Sequence, residues 1–253
     1  MLTFIVPLQA PAASKDWELV SALACRSLNS LLKQTNSAFR VLLVCNSPPL
    51  GLPDDPKLEV IERDFPLPGP VPESRMANKW LKVRVGLVVA RKLAPCHVMV
   101  VDADDCVSCQ LADYVSEQAD AHGWYFGKGY MHDEGASLIY FRPSGFDGVC
   151  GTSSIVRVEL GDLPTEEQGG RDDNPILRGG HTQIRSEMDA LGRPLAELPF
   201  TGAVYNLATG ENHTGFSLSG WRSKKVFLQK LLRYRFLTTR IRREYGLFEI
   251  GNR

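Results

Sequence analysis

Apolar positions along the chain fall into two rhythms. Near-continuous runs come first: "TFIVPL" at 3–8, "FRVLLVCNS" at 39–47, the shorter "KLEVIER" at 57–63 and "HVMVV" at 97–101. Runs without alternation are strands buried on both faces, as in a parallel sheet covered by helices. Between them the spacing changes to three and four. In "DWELVSALACRSLNSLLKQT", Trp17, Val20, Leu23, Ala24, Leu28, Leu31 and Leu32 share one helical face, with Ser14 or Asp16 as the cap. "MANKWLKVRVGLVVARKL" repeats the pattern with Trp80, Val83, Leu87 and Ala90, and Pro95 ends it. The Pro- and Gly-rich "FPLPGPVPES" at 65–74 predicts a loop before that helix.

Beyond residue 110 the elements shorten. "QLADYVSEQADAHG" at 110–123 predicts a further helix, and "WYFGKGYMH", "SLIYFRP" and "GTSSIVRVEL" predict short strands of a mixed or antiparallel extension. "EEQGGRDDNPILRGG" at 166–180 reads as a mobile polar loop. "HTQIRSEMDALG" at 181–192 reads as a helix closed by glycine, and "AELPFTGAVYNLA" as a last strand before the turn "TGENHTG". The basic "WRSKKVFLQKLLRYRFLTTRIRREYGL" closes the chain as one helix or more. The expectation is a single Rossmann-like α/β domain over 1–220, followed by a basic helical extension over 221–253. Its central sheet is mostly parallel and flanked by helices, with a small antiparallel extension.

Composition narrows the classes. The 253 residues carry 29 basic and 29 acidic side chains, so no global field recommends nucleic acid as a partner. The nine Lys and Arg residues between Arg222 and Arg243 have no acid among them, which leaves the rest of the chain net acidic. No run approaches the roughly 20 apolar residues of a membrane span, and the start of the chain lacks a signal-peptide pattern. Six scattered cysteines in a chain of this length predict reduced thiols and a cytoplasmic protein. Cys106 and Cys109 form a C-x-x-C without a second pair to complete a zinc site.

The chemistry concentrates at the end of the fourth run, where Val98–Val101 meets Asp102, Asp104 and Asp105. Adjacent carboxylates repel, and a cation or strong donors must favour their ionised forms. Oxygen-only ligands suit Mg²⁺ or Mn²⁺, ions that bring substrate phosphates with them. A solvated acidic turn capping the next helix is the plainer explanation of the same letters. In open α/β sheets the carboxyl end of a strand is where ligands bind.

The order "FIVPLQAP", "SLNSLLKQT", "FRVLLVCNS", "VVDADD" resembles the A-type nucleotide-sugar glycosyltransferases, and within them the large inverting family often labelled family two. The resemblance covers residues 1 to about 110 and, more loosely, the region to about 215. It implies a nucleotide-binding half over 1–110 and an acceptor half over 111–220. It further implies a UDP- or GDP-sugar donor with Mn²⁺ or Mg²⁺ on its diphosphate. Asp104 becomes the metal ligand, and Asp102 and Ala103 lie near the nucleotide, with Pro7 and Gln9 at the end of the first strand. Where such enzymes often have acids after the second strand, this chain has Cys45-Asn46-Ser47, so Asn46 is the candidate for a base or ribose contact. The usual acidic pair before the late helix is also missing.

The place of that pair falls near Gly180 and His181, which makes His181 a candidate base, since imidazole titrates near neutrality. Asp172 and Asp173 in "GRDDNP" compete for the role. His213 in "TGENHTG" is a candidate third metal ligand. Lys79 and Lys82, about one helical turn apart, are candidates for the diphosphate, as is Arg75; a solvated helix face is the alternative. Arg157, after the small-residue stretch "GTSSIV", is a further phosphate candidate. Residues 222–243 could rest on an anionic membrane surface or pack on the domain. Besides sugar transfer, two other functions fit parts of this pattern. A sugar nucleotidyltransferase would want a Gly-rich basic loop after the first strand, which "PLQAPAASKDW" does not offer. A degenerate transferase fold would act as a binding protein.

Overall fold

The computed structural model describes residues 1–69, 71–170, 174–178, 180–207 and 232–248. The four apolar runs form neighbouring strands: β1 (Leu2–Pro7), β2 (Phe39–Cys45), β3 (Leu58–Glu62) and β4 (His97–Val100). β1 lies between β2 and β4 and runs parallel to both, and β3 pairs parallel with β2. Parallel neighbours require crossovers, supplied by α1 (Trp17–Leu32) and α2 (Pro72–Ala90). Phe4, Val6, Val41 and Leu43 pack with Leu28 and Leu31 of α1, whereas Ile5, Leu42 and Val44 pack with Val83 and Leu87 of α2. β1, β2 and β4 thus bury both faces, the physical reason their sequences do not alternate, whereas β3 at the sheet edge leaves Glu59 and Glu62 exposed.

Local chemistry sets the helix boundaries. Asp16 caps α1 by accepting the Leu19 N–H at 3.0 Å, while the Ser14 hydroxyl turns to the Pro11 carbonyl instead. α2 starts at Pro72, inside the stretch expected to be loop, because proline is well suited to a first helical turn whose N–H groups lack partners. A Cβ added at Gly86 of α2 would come within 2.5 Å of Ile5 Cγ2, so glycine is what lets this helix seat on β1.

Past β4 the pairing turns antiparallel. β9 (Ser154–Arg157) pairs with β4, β6 (Gly123–Tyr125) with β9, and the two-residue β10 (Ala196–Glu197) runs parallel to β6. The seven-stranded order is β10-β6-β9-β4-β1-β2-β3. A second sheet joins β5 (Cys106–Val107), β7 (Gly129–Asp133), β8 (Leu138–Arg142), β11 (Ala203–Leu207) and β12 (Tyr234–Phe236) in the order β12-β8-β7-β11-β5. The fold is the expected α/β architecture with a mostly parallel central sheet between helices.

Several elements depart from expectation. α3 spans only Leu111–Glu117, and the predicted "WYFGKGYMH" strand divides into β6 and β7. The polar 166–180 stretch contains α4 (Pro175–Arg178), whose Ile176 N–H is taken by Asn174 Oδ1 at 2.9 Å. The Arg84 guanidinium donates to the Glu166 and Gly170 carbonyls at 2.9 and 3.0 Å, which ties this stretch to α2. α5 (Gly180–Ala190) follows as predicted. In the basic tail, Tyr234 and Phe236 pair antiparallel with Tyr140 and Leu138 of β8, so a strand precedes the closing helix Thr239–Tyr245. Residues 208–231, which hold the first part of the predicted terminal helix, lie outside the described residues. Among the described residues no helix is long and apolar enough to cross a membrane.

Candidate active site

A cleft of about 270 Å³ opens at the carboxyl ends of β1 and β4. Pro7 and Gln9 reach it from β1, Arg75, Lys79 and Lys82 from α2, Asp102, Ala103 and Asp104 from the loop after β4, and His181 from α5. The fold therefore brings most of the candidate residues together. Asn46 is not among the lining residues: its amide donates to the Phe65 carbonyl at 2.7 Å, and its Oδ1 is buried without a partner among the described residues. Asp172, Asp173 and His213 lie outside the described residues.

The acid loop is a bridge between the two sheets, leaving β4 and entering β5 within a few residues. Val101 still donates to Ile5 O at 2.9 Å, and Asp105 N–H closes a tight turn on Asp102 O at 3.0 Å. The Asp102 N–H donates to Thr152 Oγ1 at 2.9 Å, and Asp102 Oδ1 forms an ion pair with Lys79 Nζ. The two side chains are 28% and 25% exposed. A Cβ at Gly151 would lie 2.5 Å from Asp102 Oδ2 and 3.3 Å from Lys79 Nζ, so glycine makes room for this pair. Although burial would lower the Lys79 pKa, the charge and hydrogen bond of Asp102 and the charges of Asp105 and Asp104 raise it.

The three carboxylates have different roles. Burial, then the charge of Asp102, pushes Asp104 up to about 7 against the opposing pull of Lys79 and Arg26. Asp105 is fully buried. Burial and its two acidic neighbours raise it well above the carboxylate range, while Thr152 and Asn206 hydrogen bonds resist. Its Oδ1 accepts the Asn206 N–H of β11 at 3.1 Å, and its Oδ2 lies 3.3 Å from Cys150 Sγ. Asp105 is therefore a positioning group at the seam of the sheets, and Asp102 and Asp104 are the acids that face the cleft.

The basic residues divide similarly. Lys82 is 1% exposed, and its ammonium donates to the Leu8 carbonyl at 2.7 Å, 5.3 Å from the Phe65 ring centre. Burial lowers its pKa to about 8. It is not a solvated face: one of its three N–H donors is held by the chain leaving β1. Arg157 is similarly occupied by the Asp120 carbonyl at 2.7 Å. Lys79, one turn earlier on α2, is the lysine that reaches the acids.

His181 stands half-buried at the start of α5, and burial, then the charge of Lys79, lowers its pKa while Asp102 and Asp147 pull it upward. The imidazole is thus neutral near pH 7 and able to accept a proton. Arg185, one turn along, pairs with Asp147 at 3.1 Å and lies 3.7 Å over the Tyr125 ring, holding α5 against the large sheet. Arg26 of α1 is a residue the sequence reading missed. It is 6% exposed, binds Glu134 through two contacts of 3.0 and 2.7 Å, and adds positive charge toward Asp104. Its signal was an arginine three residues after Leu23, on the buried side of the helix.

The six cysteines are free, and burial raises Cys106 to about 11 and Cys109 above its ordinary value, so the C-x-x-C holds no ready thiolate. Among the described residues no three His, Cys, Asp or Glu side chains gather to hold a metal. A divalent ion that arrives on a diphosphate needs no such cage, only one or two carboxylates. Asp102 and Asp104 are the residues that would hold it: oxygen ligands, partly buried, with a mutual repulsion that a cation would relieve.

No family model matches the chain. Among curated proteins, 83 residues are 30% identical to a probable NADH dehydrogenase (ubiquinone) 1 alpha subcomplex subunit 5, mitochondrial, of Arabidopsis thaliana. The match takes in 31% of this chain and spans about half, 49%, of that relative. Among solved structures, S. aureus TarS 1–349 is 16% identical with a TM-score of 0.40, over 81% of this chain and 60% of that one. A 4-diphosphocytidyl-2C-methyl-D-erythritol synthase is also 16% identical at 0.40, over 91% of this chain and 97% of that one. A putative glucose-1-phosphate thymidylyltransferase from Bacillus anthracis is 10% identical at 0.40, over 80% and 88%. At this level of likeness the chemistry has to be read from the cleft itself.

Proposed function

We propose that the chain is a glycosyltransferase that takes a UDP- or GDP-sugar in this cleft and passes the sugar to an acceptor hydroxyl with inversion. The observation that carries the reading is the acid pair Asp102 and Asp104 at the carboxyl end of a buried parallel strand, facing Lys79 and a neutral His181 across one cleft. Bound Mn²⁺ or Mg²⁺ would neutralise the diphosphate as it leaves. Asp104 would hold the ion, joined by Asp102, which lies beside the nucleotide. Lys79 would place a positive charge on the same phosphates. His181 would accept the acceptor's hydroxyl proton as that oxygen bonds to the anomeric carbon and the bond to phosphate breaks. The apolar floor, with Leu8, Leu23 and Val100 among its residues, excludes water from that carbon.

The test is a thermal-shift screen of sugar nucleotides and free nucleoside diphosphates, each with and without Mn²⁺, since a ligand of the native state raises its stability by mass action. The expected result is a shift that needs both the ion and one nucleotide and disappears in Asp104→Ala. No shift with any combination would refute the donor site and favour a non-catalytic protein. A shift with a nucleoside triphosphate in preference to every diphosphate would favour nucleotidyl transfer.

A further inference from the structure

Lys79 occupies the position of a resident cation. Its ammonium closes on Asp102 Oδ1, while Oδ2 lies against Gly151, where an added Cβ would approach to 2.5 Å. One carboxylate oxygen is held by a charge and the other faces backbone. An ion taken by Asp102 and Asp104 together therefore competes with the ammonium for Asp102. The helix beneath it is fixed, because Lys82 one turn later is anchored to the Leu8 carbonyl. The Lys79 side chain is free to swing: it is a flexible four-carbon stem, partly exposed, and it borders the cleft.

We infer that Lys79 is an exchangeable counter-ion. It pairs with Asp102 in the empty cleft and passes to the donor diphosphate when a divalent ion takes Asp102 and Asp104. The inference rests on the donor reading above. The exchange keeps the ammonium paired at both stages: with Asp102 before binding, and with phosphate once the ion has taken its place beside the acids. Ion and nucleotide must then assist each other, since each relieves the contact that the other has to break.

The experiment follows Mn²⁺ alone by loss of its free-ion spin-resonance signal, and then UDP and GDP by calorimetry in saturating Mn²⁺. Lys79→Met should bind Mn²⁺ alone roughly tenfold more tightly than wild type, because competitor and repulsion are both gone, and should bind the diphosphate roughly tenfold more weakly. Lys79→Arg should restore both values toward wild type. A structural lysine would not move the two affinities in opposite directions. Asp102→Asn supplies a second variant: it frees the ammonium in advance, so inorganic pyrophosphate without any ion should bind roughly tenfold better than to wild type. Lys79→Met in the Asp102→Asn background should remove that gain. If Mn²⁺ and a diphosphate bind wild type together and Lys79→Met changes neither affinity, the exchange is wrong and the donor site stands. If Lys79→Met tightens Mn²⁺ and weakens free UDP or GDP yet no sugar nucleotide binds, the exchange stands and the glycosyl-donor reading falls.

Discussion

Asp104→Asn should stabilise the ion-free protein at pH 8, do so by only a fraction of that amount at pH 5, and abolish its response to Mn²⁺. In the folded chain, burial and Asp102 push Asp104 from 3.8 up to about 7. In the unfolded chain the carboxyl loses its proton near pH 4. Between those values the folded state holds more protons, so stability falls as pH rises through the window, and the full cost is present above about 7. A shift of about three units corresponds to at most about 4 kcal/mol at 1.36 kcal/mol per unit. Rearrangement of Asp102 and Lys79 on ionisation brings the expected penalty to about 2 kcal/mol. For a chain of this size that is about 4–8 °C in melting temperature. The assay is a pair of melting curves at pH 5 and pH 8 in a chelator, for wild type and variant. A variant that melts below wild type at pH 8, or gains equally at pH 5, would refute the account of Asp104 as a strained, buried acid.

Other outcomes follow from the same geometry. His181→Gln should lower turnover by roughly 10²–10⁴-fold while leaving the donor-induced thermal shift in place, and the acid limb of the wild-type pH profile should lie below the usual imidazole value. Loss of the thermal shift in that variant would count against a base role. Gly86→Ala should cost about 1–3 kcal/mol in urea unfolding, because its Cβ would enter the space of Ile5 Cγ2. Leu232 and Phe236 are 72% and 77% exposed beside the exposed Arg235 and Arg240, so the chain should sediment with anionic vesicles and less so as Phe236→Ser. Equal sedimentation with zwitterionic vesicles would count against a charge-directed lipid contact.

How far the sequence could be read depended on how local each cause was. β1, β2 and β4 were legible because burial on both faces writes itself as near-continuous apolar runs, and the edge strand β3 followed from its Leu58, Val60 and Ile61. The Asp102–Asp104 cluster was legible because such a run ended in charges. The different fates of Lys79 and Lys82 were not, although their shared helical face was: what separates them is the chain leaving β1, whose Leu8 carbonyl takes one ammonium. Gly151 and Thr152 escaped notice as partners of Asp102, and Asn206 as the partner of Asp105, because each meets its acid only across a long loop. β5 and β10 are two residues each, too short to show a period. β12 was hidden among cations whose spacing also suits a helix, and only its pairing with Leu138–Tyr140 makes Tyr234–Phe236 extended.

The position of Asp105 at the seam bears on when the site comes into being. The four parallel strands are complete by Val100, but the groups that hold the far side of the acid loop arrive about a hundred residues later. Asn206 takes the Asp105 carboxyl, Gly202 accepts from Ser108 at 2.9 Å, and Glu244 accepts from Cys109 N–H at 3.0 Å. Such distant closures are the slow steps of folding, since their loop entropy is lost before any contact rewards it. A nascent or refolding chain therefore acquires most of its secondary structure well before it acquires a competent cleft. In refolding, recovery of Mn²⁺ binding should lag behind recovery of the far-ultraviolet signal. Ion uptake would thus report the docking of the second sheet onto the acid loop, which circular dichroism, summed over every helix and strand, does not single out.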